Sequence, residues 1–160
     1  MLDGELFVSP APSFNHQRVA QVLFRLLDHW VRKHDLGEVF IAPAEVEFSP
    51  LRLLQPDLFT IPPTPGFRPR VFRDVGKLLL AVEVLSPNTA RADRIQKRDI
   101  FQDERVPEYW IVDPHGRLIE RWLPDDERPE ILSASIRWQP NLRVLPVEID
   151  LPHLFAEALD

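Results

Sequence analysis

A long amphipathic helix, a set of short strand-like segments and a strand–helix–strand unit predict an α/β or α+β fold with a mixed β-sheet. The helix is indicated over residues 14–34, where apolar side chains recur every three or four positions. The strand-like segments follow it. The apolar run 78–85 then leads through Ser86-Pro87 into a second helix, and another strand follows that helix. Helices that alternate with strands in this order usually cover a mixed sheet.

Length and composition fit one domain, expected over residues 1–160. The chain is 44% hydrophobic and 28% charged, and it has no cysteine, which excludes disulfides and thiolate metal sites. It lacks a run of transmembrane length and the basic start of a signal peptide, so we expect a cytoplasmic protein away from membranes. The net charge of −6 argues against a broad nucleic-acid surface but permits a local basic patch.

The first elements are a short strand over residues 4–8 and the long helix, which Ser13 is expected to cap. Gly37 follows the helix, as is common after a helix C-terminus. His16 lies on the apolar stripe of the helix. It either orients a group in a site or is a hydrogen-bonded structural histidine, and the second role is the commoner one.

Three strand-like segments come next, over residues 38–42, 44–48 and 53–61. In the last of them, Asp57 shares a face with Phe59 and Ile61 if the segment is one strand. A carboxylate would then point toward apolar neighbours.

The run 78–85 is typical of a fully buried strand, and it contains Glu83 between two valines. A glutamate in such a strand is costly to ionise unless a metal ion, a lysine or an arginine lies against it.

The helix that follows carries a lysine on its apolar face. In helical projection Lys97 lies between Ile100 and Phe101, so its ammonium is expected to point toward the sheet. The alternative is an exposed ion pair between Asp93 and Lys97, four residues apart, which would be worth only a few tenths of a kcal/mol.

The rest of the chain is predicted as a strand over 108–113, a hairpin partner over 117–123, a further strand over 131–138 and a short helix over 152–159. Tyr109 and Trp110 fit the core, and a role in a dimer interface is the alternative.

Two acids on neighbouring strands together with one lysine are typical of metal-dependent phosphodiester hydrolysis. Carboxylates bind hard divalent cations such as Mg²⁺ or Mn²⁺ through oxygen. The metal activates a water, and the lysine stabilises developing negative charge. Asp57, Glu83 and Lys97 are the candidate catalytic residues, and Asp57 and Glu83 are the candidate metal ligands.

The sequence resembles the Uma-type family of restriction endonucleases within the PD-(D/E)xK nuclease superfamily. The resemblance covers nearly the whole chain, and its most specific parts are residues 83–87 and 107–114. The matching pieces are Gly4-Glu5-Leu6, residues 12–17, Pro56-Asp57-Leu58, residues 82–89, Asp93 with Lys97, and residues 106–114.

The resemblance implies a restriction-endonuclease-like mixed β-sheet, flanked by the long N-terminal helix and by a helix after the central strand. It matches Asp57 and Glu83 to the two metal-binding acids of the superfamily. The lysine of the superfamily motif would fall at Leu85 and is absent, so Lys97 is the candidate for its role.

Three further positions are implied only as supporting residues: Glu5, His16 and Asp93. Phe101 departs from the family pattern, which commonly has tyrosine there, so a hydroxyl role at this position is in doubt.

Two classes of function remain open. The first is a metal-dependent DNA endonuclease, which requires DNA as substrate and Mg²⁺ or Mn²⁺ as cofactor. The second is a catalytically idle nuclease-like domain that binds a nucleic acid or a protein partner, which the acidic net charge favours. A subunit that is active only with a partner is a third option, and a homodimer is a candidate assembly.

Overall fold

The computed structural model describes residues 12–66, 68–71, 74–87 and 91–160, with only the backbone described at positions 92 and 93. The predicted strand over residues 4–8 lies outside this part of the chain.

The helices of the described residues agree closely with the prediction. They are α1 (Phe14–Lys33), α2 (Arg91–Asp103) and α3 (Leu151–Leu159). Ser13 caps α1 through its side chain, which accepts a hydrogen bond from the His16 N–H at 3.2 Å. Gly37 follows α1 with a φ of 120°, and a Cβ there would lie 1.8 Å from the Ile61 carbonyl oxygen, so only glycine fits. Within the described ranges, no helix has the length and apolarity needed to cross a bilayer.

The described strands form one large and two small sheets. Their bounds are β1 (Glu38–Ile41), β2 (Val46–Ser49), β3 (Arg52–Leu54), β4 (Leu58–Ile61), β5 (Leu80–Val84), β6 (Tyr109–Asp113), β7 (Leu118–Trp122), β8 (Glu130–Leu132), β9 (Ser135–Trp138) and β10 (Val147–Asp150). The six-stranded sheet has the order β1-β4-β5-β6-β7-β8, while β2 pairs with β3 and β9 with β10.

The large sheet is mixed, as predicted. Strands β5 and β6 are parallel, and the other neighbouring pairs in this sheet are antiparallel. A parallel pair needs a crossover connection, and α2 supplies it between β5 and β6.

The helices cover both faces of this sheet. One hydrophobic cluster joins α1 and α3 to alternate residues of β5, namely Leu80, Val82 and Val84. A second cluster joins Ile100 and Phe101 of α2 to the opposite face of the sheet. Because the two faces are both packed, β5 is buried at every position except Glu83, which is half-buried.

Three details of the strand prediction were wrong. Segment 53–61 is not one strand, because the chain leaves β3 before Pro56 and β4 begins in a different sheet. Segment 131–138 is likewise divided between β8 and β9. Strand β10 was not predicted at all. The predicted core position of Tyr109 and Trp110 is confirmed, because they are 1% and 0% exposed, and the alternative of a dimer interface is excluded for these two side chains.

Candidate functional site

Glu83 lies near the carboxyl end of β5, on the face of the sheet that α2 covers. Its strand neighbours Val82 and Val84 belong to the cluster under α1, whereas Ala81 belongs to the cluster under α2. Side chains alternate between faces along a strand, so Glu83 projects toward α2 with Ala81. Its side chain is only 12% exposed.

Lys97 meets this carboxylate from α2. Its Nζ lies 3.4 Å from Oε1 and 3.5 Å from Oε2 of Glu83, and its side chain is 15% exposed. The ammonium therefore points toward the sheet and lies within reach of Glu83, as the helical projection required. A solvent-exposed lysine at this position is inconsistent with this geometry. The side chain of Asp93, the other candidate partner, lies outside the described residues.

Asp57 immediately precedes β4 and contacts two other elements. Its Oδ2 accepts a hydrogen bond from the Val84 N–H at 2.7 Å and lies 3.0 Å from Nε2 of His16. The prediction that Asp57 shares a strand face with Phe59 and Ile61 was wrong, because Asp57 precedes the strand and contacts α1 on the other side of the sheet. Its carboxylate links α1, β4 and β5 at one point.

His16 occupies the first turn of α1 and is 7% exposed. The tautomer that fits carries its proton on Nε2, because a carboxylate oxygen can only accept. Its Nδ1 is buried without a hydrogen-bond partner among the described residues. Ser13 fixes the start of the helix and thereby the position of this ring.

The two acids lie at one corner of the sheet. The carboxylate of Asp57 accepts a hydrogen bond from the main chain of Val84, the residue that follows Glu83, so both acids lie at the same end of β5. Within the ranges that the structure describes, no three His, Cys, Asp or Glu side chains are close enough together to hold a metal ion by themselves. A metal at this corner would need main-chain or water oxygens in addition.

Glu5 lies outside the described residues, so its supporting role stays a prediction. The structure adds a contact that sequence reasoning missed: Arg94 of α2 lies 3.9 Å from Glu120 of β7. In the sequence, Glu120 follows an apolar residue of a predicted strand, as a residue on a solvent-exposed face would. Its sequence context therefore does not indicate this contact.

A solved structure shares the fold. A crystal structure described as "a putative nuclease belonging to DUF820", from Anabaena variabilis ATCC 29413, superimposes with a TM-score of 0.80. The match covers 99% of this chain and 89% of that one, at 14% sequence identity. A search of curated proteins returned no significant match.

A family model identifies the relationship. The Uma2 model, described as "Putative restriction endonuclease", matches residues 1–155, which is nearly the whole chain. The matched residues include Asp57, Glu83 and Lys97 and the elements that carry them. The fold shared with the solved structure agrees with this family assignment. The chain belongs to the Uma2 family of restriction-endonuclease-like proteins.

Proposed function

We propose that this protein is a metal-dependent endonuclease that hydrolyses phosphodiester bonds of DNA. Asp57 and Glu83 serve as metal ligands and Lys97 as the catalytic cation in this proposal. The contact of the Lys97 ammonium with Glu83, at 3.4 Å and away from solvent, is the observation that carries it. The side chains of Lys97 and Glu83 are only 15% and 12% exposed, and an ion pair that has lost this much hydration is a weak source of stability.

The donor atoms at this corner fit a hard divalent cation. Asp57 and Glu83 both lie at the carboxyl end of β5, where the Val84 N–H donates to Asp57. The N–H and C=O of one strand residue point to the same side, so the Val84 carbonyl is a third oxygen available there. Mg²⁺ keeps several waters when it binds proteins, so a shell of two carboxylates, one carbonyl and waters is sufficient. A bound metal ion would activate a water and neutralise phosphate charge.

Lys97 supplies a compact positive charge beside the metal ligands. In the free protein it balances Glu83, and this contact holds the ammonium where negative charge develops during hydrolysis. His16 holds Asp57 through its Nε2–H, so it is a supporting residue that orients a ligand. Glu5 and Asp93 complete the proposed supporting set.

DNA is the proposed substrate, and basic side chains of α2 are the proposed phosphate contacts. Arg91 and Arg98 lie on the same helix as Lys97, within the first eight positions of α2. They form a local basic patch on a chain whose net charge is −6. That acidic charge supports the second candidate function, an idle nuclease-like domain that binds a nucleic acid or a protein partner.

One domain over residues 1–160 and a homodimer complete the proposal. Each chain offers one candidate site. Two such sites are required to cleave both strands of a duplex at one place. A two-fold symmetric dimer would supply them. Linear plasmid would then be the main product, whereas a monomer would accumulate nicked circles.

Cleavage of supercoiled plasmid DNA with Mg²⁺ or Mn²⁺ tests this function. The wild-type protein should cut, and chelator should stop the reaction. Lys97→Met should lower the rate by about 10²–10³, the usual cost of removing one positioned electrostatic group. Lys97→Arg should not restore it, because a planar guanidinium does not replace a compact ammonium.

Lys33→Met is the matched control, because Lys33 is exposed at the far end of α1. It should cut at the wild-type rate. A wild-type protein that binds DNA but does not cut it under any of these metal conditions would contradict the enzyme and support the idle domain.

A further inference from the structure

The half of α2 that carries Lys97 is attached to the sheet through charged side chains. The buried apolar residues of this helix, Ile100 and Phe101, belong to its second half. None of the described side chains in residues 91–98 is buried. The position of Lys97 therefore depends on polar contacts in its own half of the helix.

The sheet presents a second acid to this half. Across the parallel pair, Glu83 is in register with Ile111, and across the next pair Ile111 is in register with Glu120. Residues directly opposite one another project from the same face, so Glu120 lies under α2 on the same side as Glu83. Two strand spacings, about 9.6 Å, separate the two acids.

Glu120 contacts both α2 and its own strand. One carboxylate oxygen lies 3.9 Å from Nη1 of Arg94, and the other accepts a hydrogen bond from Nε1 of Trp122 at 3.4 Å. The side chain of Glu120 is 19% exposed and that of Arg94 is 31% exposed. The Trp122 hydrogen bond fixes the carboxylate, so Arg94 has a defined point of attachment.

A third contact strengthens this attachment. Arg98 lies over the ring of Trp122 at 4.7 Å from its centroid, which is a cation–π distance. Arg94 and Arg98 are four residues apart and Lys97 is between them, so all three project from neighbouring positions on the helix. The first half of α2 is thus held against β7, beside Lys97, by contacts among four side chains: Arg94, Arg98, Glu120 and Trp122.

We infer that Glu120 is a positioning residue, which holds the first half of α2 through Arg94 so that Lys97 stays against Glu83. This inference rests on the proposed function, because it assigns Glu120 to the support of the same site. Glu120 touches neither substrate nor metal in this account. Loss of its charge lets the first half of α2 move away from the sheet and displaces the ammonium from the site.

The test uses Glu120→Gln, which removes the charge but keeps an oxygen that can accept from Trp122. Hydrogen exchange of the amides of residues 94–98 should become roughly two- to fivefold faster, which is the range expected for loss of one partly exposed ion pair. The cleavage rate at saturating DNA and metal should fall about 10- to 100-fold, since small misplacements of a catalytic group are costly. The affinity for metal should not change.

Glu104→Gln is the matched control. Glu104 directly follows α2 and pairs with Arg52 at 2.9 Å, with a similar exposure of 27%. This variant should leave both the exchange of residues 94–98 and the cleavage rate within about twofold of wild type. Arg94→Gln should reproduce the effect of Glu120→Gln, and Arg94→Glu combined with Glu120→Arg should recover part of the rate.

Two results would overturn the positioning role. One is unchanged exchange of residues 94–98 in both Glu120→Gln and Arg94→Gln. The other is faster exchange with an unchanged cleavage rate. If the wild-type protein cuts no DNA, the proposed function fails, and the exchange measurement alone still decides whether Glu120 holds the helix.

Discussion

At the scale of single residues, the site is a set of partly buried charges that each contact a partner. Glu83 is met by Lys97, and Asp57 is met by the Val84 N–H and by His16. Removal of one member of a buried pair leaves an uncompensated charge, which costs more than the pair contributes. Substitutions at this corner should therefore differ in their effect on stability according to the charge that remains.

Lys97→Met removes the ammonium from Glu83, whose carboxylate lies at the same end of β5 as that of Asp57. We expect a lower melting temperature than wild type in chelator, by a few degrees, because two like charges remain in a dry site. Glu83→Gln should melt at the wild-type temperature or above it, since it removes one of the two acids and Lys97 can extend toward water. Thermal unfolding in chelator measures both. A Glu83→Gln protein less stable than Lys97→Met would contradict this account.

Glu108 offers a separate prediction about pH. Burial raises the pKa of Glu108 above its ordinary value of 4.5, against smaller opposing effects of the Trp110 hydrogen bond and of Arg121. The folded protein thus keeps this proton to higher pH than the unfolded chain. The free energy of unfolding consequently falls as the pH rises from the ordinary value through the raised one.

Glu108→Gln removes this dependence and keeps an acceptor for the Trp110 Nε1–H, which now donates to Glu108 at 2.8 Å. The variant should be more stable than wild type at neutral pH, and the difference should vanish below about pH 4, where both states are protonated. Urea unfolding at several pH values measures it. A difference that grows toward low pH would show that the carboxylate is stabilised in the fold.

At the scale of elements, the N-caps determine where the helices begin and therefore where the first residues of each helix lie. Ser13 caps α1 one turn before the packing residues and places His16 in the first turn. Asp150 plays the same part for α3, because its side chain accepts from the His153 N–H at 2.7 Å. α3 packs beside α1 but carries no candidate site residue, so its stability can be changed separately.

Asp150→Ala should lower the free energy of unfolding by about 1 kcal/mol, the usual cost of removing an N-cap. In a chain of this size the melting temperature should fall by roughly 2–4 °C. Asp150→Asn, which keeps a capping oxygen, should behave like wild type. Metal binding should not change in either variant, and a loss of metal binding in Asp150→Ala would mean that α3 supports the site.

Element prediction succeeded where a pattern is long and local. The stripe of α1 and the Ser13 cap are contained within one helix, so their outcome depends little on the rest of the chain. Segment 53–61 failed because β3 pairs with the neighbouring strand β2, whereas β4 joins β1 and β5 in the large sheet, and the local pattern does not show this division. Strand β10 was missed because its pairing with β9, its one partner among the described residues, is not visible in the local sequence pattern.

At the scale of the whole molecule, the strand–helix–strand unit could be predicted because a buried strand, a crossover helix and a second buried strand follow one another directly. It brings Glu83 and Lys97 within contact distance. The contact of Asp57 with His16 could not be predicted, because it joins a loop residue to a helix on the other face. Glu120 was missed because only the sheet register places it under α2.

Titration of the protein with Mn²⁺ in a calorimeter tests the central claim, that Asp57 and Glu83 hold one divalent ion. Wild type and Lys97→Met should each bind one ion, and bound metal should raise the melting temperature. Asp57→Asn and Glu83→Gln should lose the heat of binding. No heat with wild type, or unchanged binding by Glu83→Gln, would contradict the account.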